Sequence, residues 1–237
     1  MAYKGYSILA VIPARSGSKG IPHKNMRLIN GVTLIGHAIQ TALKSSYIDH
    51  VIVSTDSKRL LEEGTKLGLD TPFLRPVKLS SDTALSIDVW KHAWIESEIF
   101  YKTTFDMSIL LEPTSPNREV RDIESAIQLL IRRKVSSVVT VSRVDPHYAP
   151  EKLLTIGASG RLNHFFTCDT PVSRRQDVGE YYYRNGVCYV STRTQILDEN
   201  SIISTDTLPL TIGRKVINID TMEDLNEAIA LYNLPVP

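Results

Sequence analysis

The chain is expected to fold as an α/β protein, with a Rossmann-like, mostly parallel sheet flanked by helices. Three observations carry this. Short apolar runs alternate with longer amphipathic stretches through the N-terminal half, as in a strand, crossover helix, strand series. The first run, Ile8-Leu9-Ala10-Val11-Ile12, is continuously apolar, as a central parallel strand buried on both faces must be. With 237 residues, 42% apolar and 22% charged, the chain is long enough for one substantial core.

The elements follow in order. Ser7 to Pro13 reads as the first strand, and a polar, glycine-containing loop, Ala14 to Asn25, leaves it. A helix is predicted from about Thr33 to Ser45, where Leu34, Ile35, Ala38, Ile39 and Ala42 recur at helical spacing. His50 to Ser54 is a second strand running into Thr55-Asp56, and Lys58 to Leu67 the next helix. Phe73 to Pro76 reads as a short third strand, with a helix starting near Thr83 to Asp88. Met107 to Leu111 is a fourth strand, stopped by Pro113 and Pro116, which cannot donate to a ladder. Arg121 to Lys134 is helical and Ser137 to Ser142 a strand. From about Asp145 to Arg184 the pattern turns irregular and aromatic, as expected of an inserted arm. Tyr189 to Ser191 and Lys215 to Ile219 read as strands, and Met222 to Tyr232 as a closing helix.

Composition excludes several function classes. A formal net charge of +1, from nearly equal acids and bases, gives no reason to expect a nucleic acid or an anionic membrane as partner. Two cysteines, Cys168 and Cys188, are too few for a disulfide framework and read as reduced packing thiols. No run of about 18 apolar residues could span a bilayer, and Ile8 to Pro13 is too short for a signal-peptide core. A cytoplasmic location is the expectation.

In open α/β sheets ligands bind beyond the carboxyl ends of the strands, so function should lie in the loops there. Ala14 to Asn25 packs Arg15, Lys19, Lys24 and two glycines directly after a buried strand. Glycines let backbone N–H groups approach phosphate oxygens and the cations neutralise them, so the loop looks suited to a polyphosphate. The alternative is a merely solvated basic loop. It has neither Walker A nor Gly-x-Gly-x-x-Gly spacing, so neither a P-loop ATPase nor a dinucleotide dehydrogenase is indicated.

This loop resembles the signature of the acylneuraminate cytidylyltransferases (CMP-sialic acid synthetases), whose relatives activate legionaminic and pseudaminic acids and, more distantly, Kdo. The resemblance continues in order through Leu34-Ile35-Gly36-His37, Val53-Ser54-Thr55-Asp56, Leu74-Arg75-Pro76 and Ser81 to Ser86. It then takes in Leu111 to Pro116, Arg174 to Asp177, Asn185-Gly186 and Ile219-Asp220-Thr221. It implies a nucleotide-diphospho-sugar transferase fold over 1–237 as a single cytidylyltransferase domain. Residues 145–184 would form an inserted arm serving dimerisation and the sugar site.

The resemblance also implies roles. Arg15, Ser18, Lys19 and Lys24 would hold phosphates, and Asn25, Arg75 and Ser86 the cytosine and ribose. Arg75 alone could equally be a strand-end salt bridge. Asp220 would hold Mg²⁺ through oxygen; alternatively Asp220 and Glu223 form a capping box for the last helix. Arg174, Arg175 and Gln176 would reach the sugar, a bidentate guanidinium matching its carboxylate, or form a solvated turn. Tyr182, in Tyr181 to Tyr183, would cover the sugar or pack between subunits. His37, His147 and His164 lack metal-site spacing and read as packing or surface residues.

Two positions depart from that pattern. Glu112 stands where a Gln is expected before Pro-Thr-Ser-Pro, and an ionised carboxylate cannot donate and repels an acidic sugar. Asn218-Ile219-Asp220 replaces Asp-Ile-Asp, removing a metal charge that Glu112 could replace. The expected reaction is attack of the sugar's anomeric hydroxyl on the α-phosphate of CTP, with Lys19, Arg15 and Asp220 catalytic and pyrophosphate released. The expected partners are CTP, an acidic nine-carbon sugar and a second copy of the chain. Rival expectations are a nucleotidyltransferase for a Kdo-like sugar or a sugar 1-phosphate, and an inactive nucleotide-binding relative.

Overall fold

The structure, a computed structural model, describes residues 3–166 and 179–232. β1 (Ile8–Pro13) is followed by a small hairpin of β2 (Leu28–Ile29) and β3 (Val32–Thr33), then α1 (Leu34–Lys44), β4 (His50–Ser54) and α2 (Lys58–Lys66). Next come α3 (Ser86–Tyr101), β5 (Met107–Leu110), α4 (Val120–Arg133) and β6 (Ser137–Arg143). The arm hairpin of β7 (Leu154–Ile156) and β8 (Leu162–His164) precedes β9 (Tyr182–Thr192), α5 (Arg193–Leu197), β10 (Leu208–Thr211) and α6 (Met222–Tyr232).

The main sheet has the order β10-β6-β9-β5-β1-β4. β1 pairs in parallel with both β4 and β5, and β10 with β6, while β9 runs antiparallel to its two neighbours. The chain leaves β1 toward β4 and later returns on its other side at β5. That places the carboxyl end of β1 at the topological switch point, where open sheets form their ligand crevice.

The apolar run of β1 serves both faces, as the period of two requires. Ile8, Ala10 and Ile12 pack with Ile35, Ile39, Ile123 and Ile127 of α1 and α4. Leu9 and Val11 pack with Trp90 and Trp94 of α3. The Trp90 indole N–H donates to Ser108 Oγ at 2.8 Å, so the large ring is buried without an orphaned donor. α1 starts where Thr33 Oγ1 accepts from Gly36 N–H at 3.0 Å, and α4 behind a capping box of Glu119 and Asp122. Among the described residues no helix is long and apolar enough to cross a membrane.

Three strand expectations are corrected. Phe73 to Pro76 forms no strand; the prolines at 72 and 76 bracket it, and its tie to the sheet end is Arg75 N–H to the Thr55 carbonyl at 2.7 Å. Lys215 to Ile219 also joins no ladder. Its backbone is satisfied by isolated tertiary bonds instead, with the Lys215 carbonyl accepting from Asn117 Nδ2 at 2.8 Å and Ile219 N–H donating to the Thr114 carbonyl at 2.8 Å. The strand of that region is β10, hidden by Pro209, which an edge position tolerates. β9 begins at Tyr182 rather than Tyr189, taking two of the three tyrosines into the sheet. The arm is less irregular than expected, since β7 and β8 pair over Leu154 to His164.

Candidate active site

A cavity of about 620 Å³ opens over the carboxyl ends of β1 and β5. Arg15, Ser18, Lys19, Lys24 and Asn25 of the first loop line it, together with Arg75, Ser86, Glu112, Asn218 and Asp220. Every residue expected to touch nucleotide or metal therefore meets in one space.

Local packing explains why. Ile21, inside the otherwise polar loop, is fully buried against Ile219, Leu225 and Ala228, which clamps the loop to the segment before α6. A Cβ on Gly20 would lie 2.4 Å from the Asp220 carbonyl oxygen, so only glycine lets the two backbones come so close. Lys24 Nζ donates to the Ile219 carbonyl at 3.0 Å and to Asp220 Oδ1 at 2.9 Å. Asn25 Nδ2 donates to the Arg15 carbonyl at 3.0 Å, joining the two ends of the loop. Ser16 donates through its N–H and hydroxyl to the Asp56 carboxylate at 2.8 and 2.6 Å, anchoring the loop to the end of β4.

Arg75 is buried, and one donor is spent on Ser80 Oγ at 3.0 Å. Its Nη2 is buried with no hydrogen-bond partner among the described residues. An orphaned guanidinium donor is costly, and burial already pulls this group below its usual range, so its donor is open to an acceptor from within the cavity.

Glu112 sits at the opposite wall. Its backbone carbonyl accepts from Arg118 Nη2 at 2.6 Å, and the same buried guanidinium donates to the carbonyls of Gly186 and Val187. Burial pushes Arg118 down to about 10. A Cβ on Gly186, whose φ is +71°, would lie 2.7 Å from Glu112 Oε2, so this glycine leaves the carboxyl its place. Burial raises the Glu112 carboxyl above its ordinary value; Asp220 adds to this, and Arg118, Arg184 and Lys24 oppose it. A carboxyl that keeps its proton longer can donate as the expected Gln would.

The capping alternative for Asp220 does not hold. The box is formed one residue later: Asp224 N–H donates to Thr221 Oγ1 at 3.2 Å, and Thr221 N–H to Asp224 Oδ2 at 2.8 Å. The Asp220 carboxylate is left facing Lys24 and the cavity. Among the described residues no three His, Cys, Asp or Glu cluster as an all-protein metal cage. Asp220 with the Asn218 amide still suits Mg²⁺, which takes one or two carboxylates and completes its shell with water and substrate phosphates.

Asp82, which sequence reasoning did not single out, also lines the cavity. Its Oδ1 accepts from Arg15 Nη1 at 2.7 Å and its Oδ2 from Lys19 Nζ at 2.8 Å. Those two cations, Lys19 first, hold its carboxyl below the usual range. The signal was its place in Ser81 to Ser86, but a short acidic loop does not reveal what it pairs with.

One expected sugar contact falls away from the cavity, and others cannot be placed against it. Tyr182 lies at the arm end of β9, half-exposed, its hydroxyl donating to Glu180 at 3.2 Å, and does not line the cavity. Arg174, Arg175, Gln176 and Cys168 lie outside the described residues. Cys188 is a buried thiol that burial pushes up to about 12, as a packing role requires. His37 donates to the Ile29 carbonyl at 3.0 Å, His147 pairs with Asp145 at 2.8 Å, and His164 is exposed on β8.

A family model described as cytidylyltransferase matches residues 9–233. The chain is 36% identical over 230 residues to a CMP-N,N'-diacetyllegionaminic acid synthase of Legionella pneumophila, covering 92% of each. It is 32% identical to an N-acylneuraminate cytidylyltransferase of Streptococcus agalactiae serotype V over 93% of this chain, but spans only 52% of that longer protein. Among solved structures, a CMP:2-keto-3-deoxy-manno-octonic acid synthetase complexed with CTP superposes with a TM-score of 0.68 at 19% identity, over 95% of this chain and 98% of that one.

Proposed function

Because the chain belongs to the cytidylyltransferase family, we propose that it transfers CMP from CTP to the anomeric hydroxyl of a sialic-type nonulosonic acid, releasing pyrophosphate. The observation that carries this reading is that one cavity joins the three-cation loop to Asp220 across a glycine contact. The names of the legionaminic and N-acylneuraminate relatives support the choice of nucleotide and sugar class.

The residues divide the work. Arg15, Ser18, Lys19 and Lys24 hold the phosphates, so the α-phosphorus is fixed for in-line attack. Lys19 and Arg15 meet the charge that grows on the phosphoryl group and the departing pyrophosphate. The unpartnered Arg75 donor would serve the acceptor edge of cytosine, and Asn25 and Ser86, on the same cavity, would contact base and ribose. Asp220, with Asn218, would hold Mg²⁺, which would neutralise phosphate oxygens and acidify the attacking hydroxyl. Glu112 and the segment of Arg174, Arg175 and Gln176 recognise the sugar.

A homodimer in the cytoplasm completes the reading. The arm supports it: Ile156 and Leu162 are 76% and 66% exposed, more apolar surface than a lone hairpin keeps without a partner. The test is pyrophosphate release with Mg²⁺, a panel of CTP, UTP, GTP and dTTP, and phosphate-free nonulosonic acids against sugar 1-phosphates. Release with CTP and a nonulosonic acid alone is expected. Release with UTP and a sugar 1-phosphate overturns it.

A further inference from the structure

The two cations assigned to the leaving group are already bridged by an anion. Asp82 places one carboxylate oxygen on Arg15 at 2.7 Å and the other on Lys19 at 2.8 Å, the way a phosphate spans two donors. Lys19 is 79% exposed and Asp82 47%, so water screens both pairs and they exchange readily. The carboxylate takes no other hydrogen bond among the described residues, whereas the neighbouring Ser81 and Thr83 hydroxyls pair with each other at 3.2 Å. Asp82 is thus held by the two cations alone, at the rim of the cavity.

We propose that Asp82 is an internal competitor of pyrophosphate, yielding Arg15 and Lys19 to the β- and γ-phosphates when the triphosphate enters and reclaiming them as pyrophosphate leaves. The proposal rests on the cytidylyl-transfer reading. A polyphosphate carries several charges against one and displaces the carboxylate; the returning carboxylate keeps the two cations from retaining the product. Asp82 is a positioning residue here, acting through the cations rather than on the reacting atoms.

The test is calorimetric titration of the full chain and its Asp82→Asn and Asp82→Glu variants with inorganic pyrophosphate, tripolyphosphate and cytidine. Asp82→Asn is expected to bind both polyphosphates about three- to tenfold more tightly, the range set by two screened ion pairs. Cytidine, without phosphate, should bind all three proteins alike, and Asp82→Glu should restore the parent's pyrophosphate affinity. Unchanged or weaker polyphosphate binding by Asp82→Asn overturns the proposal, because the carboxylate would then only orient the cations. Equal tightening for cytidine overturns it too. A parent chain that binds both polyphosphates no more weakly than Asp82→Asn overturns the proposal and spares the functional reading; one that binds no polyphosphate overturns both.

Discussion

The loop after β1 and the β7–β8 hairpin are both excursions from one sheet, yet they are held in opposite ways. The loop has a buried isoleucine, a glycine pressed on a distant carbonyl, and Lys24 and Asn25 spent on backbone oxygens. The arm hairpin has exposed residues along both β7 and β8, and a two-stranded hairpin alone is marginal in water. The difference teaches that the cationic loop is fixed by contacts within the chain, whereas the apolar residues of the arm hairpin stay exposed.

The comparison breaks most visibly at Lys19. Because its ammonium is exposed, Lys19→Ala should leave the melting temperature unchanged yet lower turnover by about a hundredfold or more, as losing one charge-stabilising donor does; near-normal pyrophosphate release would end the assignment. Gly20→Ala tests preorganisation itself. A Cβ there must push the loop from Asp220, so a loss of about 1–3 kcal/mol in stability with weakened CTP binding is expected from denaturant titration and calorimetry. In the arm, Ile156→Asp with Leu162→Asp should halve the mass seen by sedimentation while the fold, read by circular dichroism, stays intact. A parent already monomeric would remove the contrast.

The smallest effect concerns Glu112. Burial raises its carboxyl in the fold, so the folded chain holds this proton to higher pH than the unfolded chain. The stability this lends is fully present below the ordinary carboxylate pKa and is lost as pH climbs through the raised value. Glu112→Gln, which mimics the protonated form, should raise the melting temperature by about 2–4 °C at pH 8 and scarcely at pH 4. An equal rise at both would mean the carboxyl is not titrating.

Much of this was legible in the residues. The uninterrupted β1 run, the His50–Ser54 strand and the Met222–Tyr232 helix follow from periodicity, and the first loop, singled out for its cations and glycines, lines the cavity. What failed shares one cause. Phe73 to Pro76 and Lys215 to Ile219 are extended and apolar but satisfy their backbones by single tertiary bonds, and propensity cannot distinguish that from a ladder. The Asp220 cap lost to Thr221 and Asp224 for a similar reason, since a one-residue shift changes no composition. Asp82 stayed hidden because its partners are far off in sequence, Arg15 by 67 residues, and nothing nearby marks them.

Lys24 and the Ile219 carbonyl it grips are 195 residues apart in sequence. During synthesis the ribosome must therefore deliver almost the whole sheet before the cationic turn can acquire its far wall. Until that wall arrives, Lys24 has neither the Ile219 carbonyl nor the Asp220 carboxylate to hold it. Closing a separation of that length costs chain entropy, which strands already paired between its ends reduce.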